Sequence, residues 1–215
     1  KAAELFGTLL VGLVAKNSIL LIDLANQLRA QGRAIDPALL EAAFRKASAS
    51  ADAVITTGGV SVGEADYVKQ LMARLGEVLF WKIAMRPGRP MAFGRIGNAF
   101  LFGLPGNPVA VMVTFYQFVR DALLKLSGRD PVDPPPTFRV PCTSSLKKAP
   151  GRTEFQRGIL SCDSTGAWSV RATGEQGSGI LSSMSAANCF IILPTAQGNV
   201  EAGTTVEVQV IEGLV

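Results

Sequence analysis

The stretch DAVITTGGVSVGEAD at residues 52–66 decides the fold of the middle of the chain. Asp52 to Thr57 is a short apolar run of strand character, and Gly58-Gly59 ends it. A helix is expected over 67–76. A strand that runs into a glycine-rich loop and then a helix presents backbone N–H groups to an anion at the carboxyl edge of a sheet. The same glycine pair also suits a tight turn that needs positive φ, and on these residues alone both readings stay open. Upstream, Asp36-Pro37 opens a helix with a capping Asp and Pro at its first position. Leu39, Leu40, Ala43, Phe44 and Ala47 then form one apolar face through Ser48. Downstream, Val78 to Ala84 reads as a strand carrying Lys82, and MRPGRP at 85–90 is a cationic turn. Met91–Gly94 and Ala99–Gly103 read as a hairpin. GLPGNPVAV at 103–111 is a second loop into a helix, with Asn107 as N-cap and Pro108 at the first position. That helix is expected to run to about Leu126 and stop at Gly128.

Two loop-to-helix junctions thus lie near three cations, Lys82, Arg86 and Arg89, and two carboxylates, Glu64 and Asp66. Cations and helix ends favour a phosphate-bearing ligand, and carboxylates beside phosphate point to a hard divalent cation such as Mg²⁺. Each of these charges taken singly is more often a solvated surface residue.

Composition agrees with a folded chain. Of 215 residues, 48% are apolar and 18% charged, which rules out a disordered or collagen-like protein. There is no histidine, so acid/base or metal chemistry has to come from other groups. Cys142, Cys162 and Cys189 form no CxxC pair, which argues against a zinc ribbon or a disulfide framework and fits a reducing compartment. A net charge of +4 suits an anionic small molecule as well as nucleic acid.

Residues 129–136, RDPVDPPP, cannot continue a helix and mark a domain boundary. Beyond them come short β runs at 138–142, 155–160, 168–172, 188–193 and 205–211, separated by turns such as PGR at 150–152. This is the pattern of a small antiparallel barrel or sandwich. At the other end, residues 5–28 are largely apolar and long enough to span a bilayer, but Lys16 and Asp23 interrupt them. A membrane span and a buried helix of a folded domain are both compatible with that pattern.

Three strings carry a family resemblance: TGGVSVGEADY (57–67), FWKIAMRPGRPMAFG (80–94) and GLPGNPV (103–109). They resemble the molybdopterin molybdenumtransferases, the MoeA and gephyrin E-domain family, from about residue 36 to the end. The resemblance implies an α/β fold: a truncated, MogA-like doubly wound molybdopterin-binding domain at 35–128, the linker at 129–136, and an all-β barrel domain at 137–215. It implies a transferase of molybdenum cofactor biosynthesis. Its reaction inserts molybdate into adenylylated molybdopterin with release of AMP and depends on Mg²⁺.

The implied catalytic residues are Asp66, Lys82 and Arg86, with Asp66 and Glu64 at the metal. The implied substrate-binding residues are Gly58, Gly59, Ser61, Pro105, Asn107, Pro108, Arg157 and Ser178, with Arg152 a weaker candidate. Arg86 stands where many members have Lys, which keeps the charge but changes the hydrogen-bonding shape. A homodimer, a cytoplasmic setting and no nucleic-acid partner are further implications. The alternative within the family is a non-catalytic molybdopterin-binding or gephyrin-like interaction module. An early acidic loop of the family has no counterpart here, and Ile35 takes the place of one of two acidic residues before Pro37. Residues 12–32 resemble instead a transmembrane segment of resistance-nodulation-division efflux transporters. That resemblance implies a chimera joined near residue 35, or an efflux-transporter fragment, with membrane association only if residues 5–28 insert.

Overall fold

The computed structural model describes residues 37–58, 71–177 and 179–211. They pack as two compact units. The first takes in the chain up to Trp81 and returns for Met91–Leu104; the second takes Lys82–Pro90 and the chain from Pro105 onward.

In the first unit, helix α1 (Pro37–Ser50) starts at its proline as the sequence predicts. Its Phe44 is buried with Leu71, Met72, Ile96 and Leu101, and Leu40, Val54 and Val78 pack on that cluster. One face of α1 thus covers one face of the sheet. Strand β1 (Ala53–Thr57) follows. A helical segment at 71–75 leads directly into β2 (Gly76–Lys82), so this strand begins and ends two residues earlier than the apolar run suggested. Strands β4 (Pro90–Ile96) and β5 (Ala99–Leu104) form the expected antiparallel hairpin. β5 also pairs in parallel with β1, Val54 facing Leu101, and the four-stranded order is β1-β5-β4-β2. The parallel β1–β5 pair sends both carboxyl ends the same way, the arrangement that collects ligand loops at one sheet edge.

The second unit starts with the two-residue strand β3 (Met85–Arg86). The helix predicted from Pro108 has three parts: α2 (Pro108–Thr114), a π-helical turn (Phe115–Val119) and α3 (Arg120–Leu126). The wide turn begins just after Thr114, whose hydroxyl donates back to the carbonyls of Ala110 and Val111. In that turn the Tyr116 ring meets Phe190 edge-on, and Gln117 donates to Gln209. Periodicity alone carries no signal for such an insertion.

Five longer strands complete the unit: β6 (Thr137–Pro141), β7 (Thr153–Cys162), β8 (Trp168–Ala172), β9 (Cys189–Leu193) and β10 (Thr205–Val210), with the short helix α4 (Leu181–Ala186) between β8 and β9. The sheet runs β3-β7-β9-β10-β6, with β8 also on β7. Gly158 pairs with Ala172 on β8 and with Cys189 on β9, so these two strands flank β7 on opposite edges. Among the described residues the β6 end meets β8 through the isolated bridge Cys142–Val170 and bonds from Thr143 N–H to Val170 C=O and from Ala172 N–H to Ser144 Oγ. The expected barrel is therefore a curled sheet that no continuous ladder closes. Its interior holds Val140, Leu160, Val170, Ile191 and Val208. Gly158 is needed there, because a Cβ would lie 2.8–2.9 Å from Cys189 Sγ, Ile191 and Val170 side-chain atoms.

Among the described residues no helix is long and apolar enough to cross a membrane. The segment at 5–28 lies outside those residues.

Candidate functional site

Four segments of the second unit build a cleft of about 520 Å³: the cationic turn at 85–90, the middle of β7, and the loops at 145–147 and 172–177. The turn is fixed first. Ile83 N–H donates to Arg89 C=O at 2.8 Å, closing it. Gly88 has φ +100°, and a Cβ there would come within 2.5 Å of Thr114 Cγ2, so only glycine lets the turn lie this close to α2. β3 then pairs in parallel with β7, and its register puts Arg86 beside Glu154. Arg86 Nη1 donates to Glu154 Oε1 at 3.4 Å. Glu154 is only 7% exposed, while Arg86 is 56% exposed and reaches outward. Gln156 Nε2 donates to the second Glu154 oxygen at 3.2 Å.

Arg157 is the most unusual group in the cleft. It is 1% exposed, yet no carboxylate lies within ion-pair distance of it among the described residues. Its Nε donates to Ser183 Oγ at 2.9 Å, and Nη2 donates to the carbonyls of Gly177 at 2.9 Å and Glu175 at 3.5 Å. Nη1 makes no hydrogen bond among the described residues. Burial lowers the Arg157 pKa below the usual guanidinium range, and the positive charge of Arg86 adds to that shift. Guanidinium nonetheless stays protonated at any ordinary pH. A buried cation held by neutral groups keeps most of its charge available to an incoming anion. Arg86, Arg157 and Lys147 face Glu154 and Glu175 around the cleft, one net positive charge.

Of the residues singled out in the sequence, Arg86 and Arg157 come together here. Lys82 ends β2 and is exposed; Arg89 and Arg152 are also exposed, and none of the three lines the cleft. Pro105 is buried, Asn107 caps α2 by accepting from Val109 N–H at 3.2 Å, and Pro108 begins that helix. Gly58 belongs to the first unit. Its φ of +80° and its bond from N–H to Leu104 C=O at 3.0 Å bear out the tight-turn reading of that position. Gly59, Ser61, Glu64, Asp66 and Ser178 lie outside the described residues.

Sequence reasoning missed Lys147, Glu154, Gln156, Gln176 and Ser183. Glu154 and Gln156 alternate with Phe155 and Arg157 along β7, and alternation alone does not tell what covers each face; all but Phe155 are buried. Among the described residues no three Cys, Asp or Glu side chains converge to hold a metal ion. The expected Mg²⁺ ligands Glu64 and Asp66 are not among those residues.

The family described as "probable molybdopterin binding domain" matches residues 16–125, about half of the chain, and the "MoeA C-terminal region (domain IV)" matches 139–211. A molybdopterin molybdenumtransferase of Haemophilus influenzae is 49% identical over 169 residues, covering 79% of this chain and 42% of that protein. A gephyrin of Dictyostelium discoideum is 33% identical over 182 residues, covering 74% and 25%. Among solved structures, a molybdopterin biosynthesis MoeA protein of Pyrococcus horikoshii matches with a TM-score of 0.66 at 28% identity, covering 81% of this chain and 41% of that one. The chain spans less than half the length of these curated relatives.

The first family match includes residues 16–34, the stretch that resembled a transporter. The comparisons give the transporter and chimera readings no support.

Proposed function

This chain belongs to the molybdopterin-binding domain family and carries a MoeA C-terminal region, and from that premise we propose that it works in molybdenum cofactor biosynthesis as the oxyanion-binding part of a molybdenumtransferase. Its substrates on this reading are molybdate and adenylylated molybdopterin, and AMP is released. The observation that carries the reading is Arg157, a buried guanidinium that among the described residues has no carboxylate partner and keeps Nη1 unengaged, beside Arg86. A guanidinium fixed in this way donates charge-assisted hydrogen bonds to molybdate or phosphate oxygens. It needs no reorganisation when negative charge develops on the departing phosphate.

Lys82, Gly58, Gly59, Ser61, Pro105, Asn107, Pro108 and Ser178 belong to the same proposal as its other substrate contacts. Mg²⁺ enters only through Glu64 and Asp66, and no step is routed through it. The domain limits 35–128 and 137–215, a homodimer and a cytoplasmic setting complete the reading.

The test is AMP release from adenylylated molybdopterin with and without molybdate. Release that requires molybdate, and that falls about 100-fold in Arg157→Ala, is the expected result. Release indifferent to both would contradict the proposal.

A further inference from the structure

Along one edge β7 has two successive partners with a gap between them. β3 pairs at Thr153 and Glu154, and β8 pairs from Gly158 onward. Past Ala172 the chain makes one more backbone bond, from Thr173 N–H to Arg157 C=O at 3.1 Å, and then turns away, so among the described residues Arg157 N–H has no backbone acceptor on that side. A buried peptide group with no partner is costly, so something has to fill this gap.

The side chain of Gln176 fills it. Its Oε1 accepts from Arg157 N–H at 2.7 Å, and its Nε2 donates to Arg157 C=O at 3.1 Å. The primary amide thus stands in for a neighbouring strand. Nε2 also reaches Gly174 C=O at 3.2 Å, which ties the amide to its own loop. That loop returns the bond from the other direction, because the carbonyls on either side of Gln176, those of Glu175 and Gly177, are the acceptors for Arg157 Nη2. Ser183 completes the set: its hydroxyl accepts from Arg157 Nε and donates to Ile180 C=O at 2.6 Å. Backbone and guanidinium of Arg157 are locked by one loop and one helix, and Nη1 is left over at the cleft.

We propose that Gln176 is the positioning residue of the oxyanion site: its amide clamps the Arg157 backbone to the 173–177 loop, and through that loop aims the guanidinium into the cleft. Ser183 supports the same placement from α4. This inference rests on the oxyanion reading of the cleft. It adds a residue that touches no ligand and acts only through Arg157. Losing the clamp leaves the charge in place but lets it wander, and a loosely held donor binds an anion more weakly than a fixed one.

The test is calorimetric titration of the full chain with sodium molybdate, for wild type, Gln176→Ala, Arg157→Ala and the double variant. Gln176→Ala is expected to weaken molybdate binding about tenfold when Arg157 is present and not at all when it is absent. Ser183→Ala, run through the same cycle, is expected to show the same dependence on Arg157; it decides the matter if Gln176→Ala does not fold. Wild-type affinity in Gln176→Ala, or an equal loss with and without Arg157, overturns the proposal while leaving the oxyanion site intact. No molybdate binding by the wild type overturns the site itself, and the positioning role with it.

Discussion

The two units carry their candidate chemistry in different ways. In the first, the candidate residues lie in sequence just after β1, and the structure describes Gly58 among them. In the second, they sit on β7 itself, where Glu154, Gln156 and Arg157 are buried polar groups in the middle of a sheet. A strand-borne site is held by its ladder, by its neighbours' side chains and by a core that tolerates no change in volume. A loop-borne site depends on a few local bonds, such as the one from Gly58 to Leu104. Damage to the packing beside β7 should therefore cost more, and spread further, than damage to a loop-borne contact.

The largest expected effect is in the cores. Leu101→Ala removes a fully buried side chain from the first unit and should lower its stability by about 3 kcal/mol. Gly158→Val drives atoms into Cys189, Ile191 and Val170 and should cost the second unit about 3 kcal/mol. Urea unfolding followed by hydrogen exchange should show each loss concentrated in its own unit. Equal protection loss in both units for either variant would break the division. Asn107→Ala removes a loop-borne cap and is expected to cost about 1 kcal/mol in the same measurement.

A separate effect, seen only in alkali or with thiol reagents, concerns the cysteines. Burial holds the Cys189 thiol up at about 12, and burial also raises Cys142, whereas Cys162 is exposed. At pH 8 a thiol reagent should label Cys162 and spare the two buried residues of the folded sheet. The unfolded chain releases the Cys189 proton near its ordinary value of 9.0, while the folded one holds it to about 12. The unfolded state then binds fewer protons, so stability should fall as pH rises from about 9 to about 12. Cys189→Ser should flatten that slope, and an unchanged slope would contradict the assignment.

The same contrast explains what could be read in the sequence. Pro37, the strand at 53–57, the hairpin and the start of α2 were legible because each follows from local rules: a proline at the first helical turn, a short apolar run before glycine, a capping Asn107. The MRPGRP turn announced Arg86. The β7 site was only half legible. Arg157 came from the family resemblance, but nothing in the sequence singled out Glu154 and Gln156, since alternation shows which residues share a face and not what covers it. Gln176 was invisible for a different reason: its role comes from a gap between β3 and β8, which exists only once three strands are in place. The π turn after Thr114 and the unclosed sheet likewise depend on packing between segments far apart in sequence. The apolar stretch at 5–28 lies outside the described residues, and an apolar composition serves a protein interior and a lipid interior alike.

The account's central claim is that the cleft beside β7 is an oxyanion site built around Arg157. Crystals of the full chain grown with sodium tungstate test it directly, since tungsten can be located by its anomalous scattering. The account predicts a peak in the cleft within hydrogen-bond reach of Arg157 Nη1 and near Arg86, lost in Arg157→Ala. A cleft without tungsten at saturating concentration, or tungsten bound equally well without Arg157, would contradict it.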